Sequence, residues 1–173
     1  LNIAKGATPY FFPHEFYLKS PLRSRLHTGD LLRSKNAIRI VVTPQCNMAN
    51  DAYPDFILVA RCAEIPEWRG IVEDKRNVSK TKQSAAAAKI RRWVTQLEIR
   101  YHFLPPCDGQ GPWKVDFKCV ETVPSNSIED LLANRFASLS PQFIPHLIQR
   151  FASYMGRIGQ PDDIKGLALY LAS

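Results

Sequence analysis

The residues best suited to chemistry in this chain are Cys46, His102 and Asp116. A thiolate nucleophile needs a histidine within hydrogen-bond reach of the sulfur and an acid to orient the ring. Cys46 follows an apolar run that reads as a core strand, and His102 and Asp116 lie on later alternating segments. No motif around Cys46 marks an activated thiol, and free cysteine is among the most buried residue types. A core thiol is therefore the simpler reading, and a Cys-dependent hydrolase stands only as a second alternative. Cys46, Cys62, His102, Cys107 and Cys119 offer metal-ligand chemistry. Structural zinc sites bring their ligands in pairs two to four residues apart, a spacing absent here, and Cys62 and Cys119 read as packed strand positions. No metal and no cofactor is expected. There is no GxxxxGK[ST] and no strand-linked GxGxxG; Gly109-Gln110-Gly111 is a lone glycine pair in a loop.

The elements that position these residues predict an α+β chain: a small bent β-sheet or barrel with an inserted helix and a C-terminal helical segment. Residues 1–27, with Tyr10, Phe11, Phe12, Phe16 and Tyr17, read as an extended arm. A β-rich part over 28–124 follows the turn Thr28-Gly29-Asp30. Ala37 to Thr43 and Asp55 to Cys62 are nearly continuous β-branched and apolar runs, the mark of buried strands. Between them, residues 44–54 form a loop bounded by Pro44 and Pro54, held between core strands as functional loops often are. Residues 64–80 read as an exposed excursion. A helix over 79–96 is predicted from Ala85 to Ala88, with Ile90, Trp93, Val94 and Leu97 as its core stripe. Glu98 to Leu104 and Trp113 to Val123 alternate as a strand pair, with Trp113, Val115, Phe117 and Cys119 on one face. Residues 125–173 read as helices: one from Ser127 through Phe136, one opened by Ser140 and Pro141, and one over Ile164 to Ala172.

Composition bounds the partners. The net charge of +7 favours acidic partners such as nucleic acid, nucleotides or an acidic protein surface. The Lys and Arg read as spread along the chain, which keeps nucleic acid as the alternative partner. The helix cations Lys80, Lys82, Lys89, Arg91 and Arg92 would make that contact. No apolar run reaches the roughly 18 residues of a membrane span, so no membrane partner is expected. Sparse, unpaired cysteines fit reduced thiols in a cytoplasmic protein. The chain begins at Leu1 without an initiator Met, which suggests a piece of a longer protein and an upstream domain as partner.

Two resemblances follow from short motifs. Gly156-Arg157-Ile158-Gly159-Gln160-Pro161 and the tail to Ser173 resemble the late segment of short-chain dehydrogenases. The cofactor loop and the Tyr-x-x-x-Lys pair of that family are absent, which argues against an oxidoreductase. A second set is Thr28-Gly29-Asp30-Leu31-Leu32, Val42-Thr43-Pro44-Gln45-Cys46-Asn47, Leu104-Pro105-Pro106, Val115-Asp116-Phe117, and Arg135-Phe136-Ala137-Ser138-Leu139-Ser140 with Phe151 to Pro161. It resembles an uncharacterised bacterial module placed next to receiver-like domains in signalling or phage-defence proteins. Asn47 stands where that pattern has Asp. The resemblance implies a non-enzymatic regulatory or interaction module. Thr43, Gln45, Cys46 and Asn47, with Arg61 and His102, would form the surface for a protein partner or small ligand.

Overall fold

A computed structural model describes residues 12–19, 23–34, 37–50, 52–76 and 79–157. Parts of the predicted arm (Tyr10, Phe11), the helix over 164–172 and the dehydrogenase-like tail from residue 158 lie outside them. The fold is α+β, with one seven-stranded antiparallel sheet curled into a half-barrel. Its strands are β1 (Tyr17–Leu18), β2 (Asp30–Ser34), β3 (Ala37–Val41), β4 (Phe56–Glu64), β5 (Tyr101–Leu104), β6 (Trp113–Pro124) and β7 (Arg135–Leu139), in the order β1-β7-β2-β3-β4-β6-β5. Five α-helices lie among the described residues: α1 (Gln45–Ala49), α2 (Trp68–Arg76), α3 (Lys80–Val94), α4 (Ile128–Ala133) and, after the last strand, α5 (Ile144–Met155).

The period-2 alternation of the strands separates two cores. Leu31, Ile40, Ala60, Cys62, Leu104, Trp113, Val115 and Phe117 point to the inner face. Leu32, Val41, Ile57 and Val59 point to the outer one. Where both faces are covered, around Val41, Ile57 and Val59, the strands are apolar on both sides; further along, Arg39, Arg61 and Asp116 form a polar row across β3, β4 and β6. Amphipathic α5 lies on the inner face, with Phe151 and Tyr154 5.5 and 6.0 Å from the Phe117 ring. Burying a side chain of this size contributes roughly 1.5–3 kcal/mol, so Phe117→Ala would destabilise the fold. Met48 of α1, Tyr53 and the apolar side of α4 cover the outer face at one end. The curl brings the two edge strands together. Tyr17 of β1 donates its hydroxyl to Pro105 O just beyond β5 at 2.6 Å, and Lys19 pairs with Asp108 in the β5–β6 loop.

The structure corrects several sequence expectations. Residues 68–76 form α2 rather than an irregular excursion: Ile71 is buried, and α2 folds back as a helical hairpin with α3. The 44–54 loop contains the short helix α1, started by Asn47 and Met48 N–H bonds to Pro44 O and anchored by buried Met48. The predicted helix through Phe136 stops at Ala133. Arg135–Leu139 is strand β7, paired with both β1 and β2, and the next helix opens at Ile144 rather than Pro141. Cys119 is exposed, not packed. In β6, Asp116 and Val120 pair with adjacent Arg61 and Ala60, so three extra residues interrupt the ladder and Val120 takes the inward phase. The α3 stripe also ends early. Val94 is 52% and Leu97 73% exposed, because the helix stops at Val94 and the chain turns through Thr95 and Gln96.

Candidate functional site

The residues predicted around Cys46 do not assemble into one site. Thr43 is buried, and its hydroxyl accepts the Leu58 N–H at 2.7 Å, so it locks β3 to β4. Gln45, Cys46 and Asn47 are exposed on α1, with the Cys46 thiol donating to Asn47 Oδ1 at 3.3 Å. Cys46 is thus not the core thiol the sequence suggests. His102 is buried on β5, two strands beyond β4, opposite Val115 and through it Cys62. Cys62 lies four residues past Leu58, which binds Val42 just before α1. That separates His102 from Cys46 by about 13 Å along the strands and, over three strand spacings, about 14 Å across them. The nucleophile–base pair of a Cys-dependent hydrolase is therefore not formed by these two residues. Arg61 is exposed between Arg39 and Asp116 on the neighbouring strands. Asp116 is held by Arg100 through two bonds of 2.8 and 2.5 Å, which keep its carboxyl below the usual range. Arg61 lines a groove of about 870 Å³ at the end of the sheet, with Arg33, Arg69 and Trp68.

His102 faces α5. Its ring meets His146 edge-on at 5.3 Å, and its Nδ1 has no hydrogen-bond partner among the described residues. Burial, then the neighbouring His146 and Arg150, push its pKa down to about 3. It is a neutral core residue at ordinary pH. Arg150 donates to the carbonyls of Glu98 and Tyr101 at 2.8 and 2.7 Å, tying α5 to the start of β5.

Two of the sequence motifs do meet. Gly29 has φ of +86°, a conformation glycine adopts without strain. A Cβ there would sit 3.1 Å from Leu139 Cβ. This turn aims Asp30 at β7, where it pairs with Arg135 at 3.0 Å and accepts from the Ser138 hydroxyl and the His27 N–H. Arg135 also donates to the carbonyls of Arg23 and Arg25. Beside the turn is a pocket of about 160 Å³ bordered by Lys19, Arg23, His27 and Gln45. The Asp30–Arg135 pair spans 105 residues, and no local pattern announces it.

The second candidate is the α2–α3 hairpin. Residues 68–94 contain eight Lys and Arg against two acids. They hold six of the seven net charges, leaving fifteen Lys and Arg against fourteen acids in the rest of the chain. The cations are therefore concentrated in this hairpin, not spread along the chain. Helix α3 contains no acid, and Lys80, Lys82, Lys89, Arg91 and Arg92 are all exposed. At 100° per residue they fall on one solvent-facing arc opposite buried Ala86 and half-buried Ile90. Arg92 pairs with Glu98 at 3.1 Å, an exposed contact that contributes little to stability.

Beneath this arc lies a pocket of about 340 Å³ between α2, α3 and β5. Trp93, Tyr101 and Phe103 supply aromatic walls, Lys89 and Arg92 the cations, and Glu67, Gln96 and Glu98 hydrogen-bonding groups. Lys114 holds its ammonium 5.6 Å from the Trp93 ring and 5.1 Å from the Tyr101 ring. The core stripe predicted from Trp93 and Leu97 thus lines a cavity instead of filling a core. Among the described residues, no group of three His, Cys, Asp or Glu is placed to hold a metal ion. No helix there is long and apolar enough to cross a membrane. The chain matches no known protein-family model, no curated protein and no solved structure.

Proposed function

We propose that this chain is a nucleic-acid-binding module that grips the phosphate backbone with the α2–α3 hairpin. The carrying observation is the concentration of charge: six of seven net positive charges lie on one helical hairpin, with the five α3 cations exposed. Such a surface attracts polyanions through counterion release, independently of sequence. The assay is an anisotropy titration with labelled DNA and RNA strands, using wild type and the triple variant Lys89→Glu, Arg91→Glu, Arg92→Glu. Binding by wild type that is lost in the variant is expected. Equal binding by both, or none by either, refutes the assignment.

A second reading is supported by α1. Gln45, Cys46 and Asn47 face solvent on a segment clamped by buried Met48, by the Leu26 N–H bond to the Tyr53 hydroxyl (2.8 Å) and by Arg25 over the Tyr53 ring. Such a preorganised display suits a protein partner, as in a regulatory module of a bacterial, cytoplasmic signalling or defence protein. Asn47→Arg abolishing capture of that protein's other domains supports this reading; unchanged capture opposes it.

A further inference from the structure

Resting on the nucleic-acid reading, we infer that the pocket between α2, α3 and β5 takes an unpaired nucleobase, so that the ligand is a single strand. Its volume of about 340 Å³ falls within the range of small-ligand pockets. Trp93, Tyr101 and Phe103 offer aromatic surface on which any base can stack, and Lys89 and Arg92 stand where the attached phosphates would lie. Duplex DNA keeps its bases stacked inside and cannot fill such a pocket without extruding one.

Gln96 supplies two independent observations. Its backbone is left-handed, with φ of +53°, a strained state for a residue other than glycine. Its side-chain oxygen is buried at the pocket without a hydrogen-bond partner among the described residues. A buried acceptor left open costs stability, and a turn of the Gln96 side chain into the pocket would let an exocyclic amino group of a base satisfy it. Glu67 and Glu98 line the same pocket and add acceptors. This carboxylate and amide lining favours bases that present amino groups, adenine, cytosine and guanine, over uracil and thymine.

The test compares labelled strands of equal length and charge on the wild-type protein: single-stranded, duplex, and abasic. Stacking predicts that the single strand binds roughly ten-fold tighter than the abasic strand. Gln96→Ala and Tyr101→Ala should erase that difference while leaving abasic binding unchanged. If single and abasic strands bind alike, the pocket takes no base, although the hairpin still binds phosphates. If no strand binds in a salt-dependent way, the nucleic-acid reading itself fails. Displacement of the strand by a mononucleotide of equal affinity, or by polyglutamate, would overturn the strand assignment in favour of a free nucleotide or an acidic protein.

Discussion

Replacing Asp30 with Ala tests the polar hub that joins the Thr28-Gly29-Asp30 turn to β7. Asp30 is 1% exposed and the Arg135 side chain 9%. Among the described residues, the substitution leaves the Arg135 guanidinium with only the carbonyls of Arg23 and Arg25. It also strips the acceptor from the His27 N–H and the Ser138 hydroxyl. Breaking a buried pair by removing one partner costs about 3–5 kcal/mol, a large share of the roughly 5–15 kcal/mol typical of a domain. Asp30→Asn keeps the shape and one acceptor oxygen. It should lose only the charge-assisted share, about 1.5–3 kcal/mol. Urea unfolding of Asp30→Ala, Arg135→Met and the double variant gives the coupling directly. The double variant should be less destabilised than the sum of the singles. A cost below about 1 kcal/mol for Asp30→Ala, with no coupling, would show that the pair behaves like a surface contact and refute the reasoning.

The remaining predictions concern other parts of the fold. Buried His102 has its pKa lowered in the fold, so below the unfolded value of about 6.5 the unfolded chain binds the extra proton. Stability should fall by up to about 1.4 kcal/mol per pH unit from there towards pH 3; urea midpoints at successive pH values check this, and an unchanged slope in His102→Leu opposes it. Gln96→Gly should raise stability by about 1 kcal/mol by relieving the left-handed backbone, measured as a higher Tm; a lower Tm contradicts it. Cys46 and Cys119 are exposed while Cys62 and Cys107 are buried, so a thiol reagent should modify two sites quickly in the native protein and four in denaturant. Rapid modification of Cys62 would contradict the placement of the inner core.

Much of the architecture was legible because its signals are local. The β-branched runs at Ala37–Val41 and Phe56–Glu64 and the alternation of Trp113–Phe117 follow from pleat and burial alone. The Ala-rich α3 follows from helix propensity. Strand β7 was hidden because Arg135-Phe136-Ala137-Ser138-Leu139 follows a helical period without a break, and only pairing with β1 and β2 makes it extended. Helix α2 was hidden by Gly70 and by a dense run of charges. The site was less legible than the fold. His102 and Cys46 looked like partners because both are chemically able; sheet order separates them. Trp93 and Leu97 looked like core because spacing reports a face of a helix, not what that face meets. The charge concentration in 68–94 was present in the sequence, but it becomes a surface only when the two helices fold back on each other.

The salt dependence of single-strand binding tests the central claim most directly. Five exposed α3 cations that each neutralise a phosphate predict a log–log slope of about −3.5, from about −0.7 per contact. Lys89→Glu, Arg91→Glu, Arg92→Glu should abolish binding. A slope near zero, or an affinity that this triple variant leaves unchanged, would contradict the hairpin as the nucleic-acid interface.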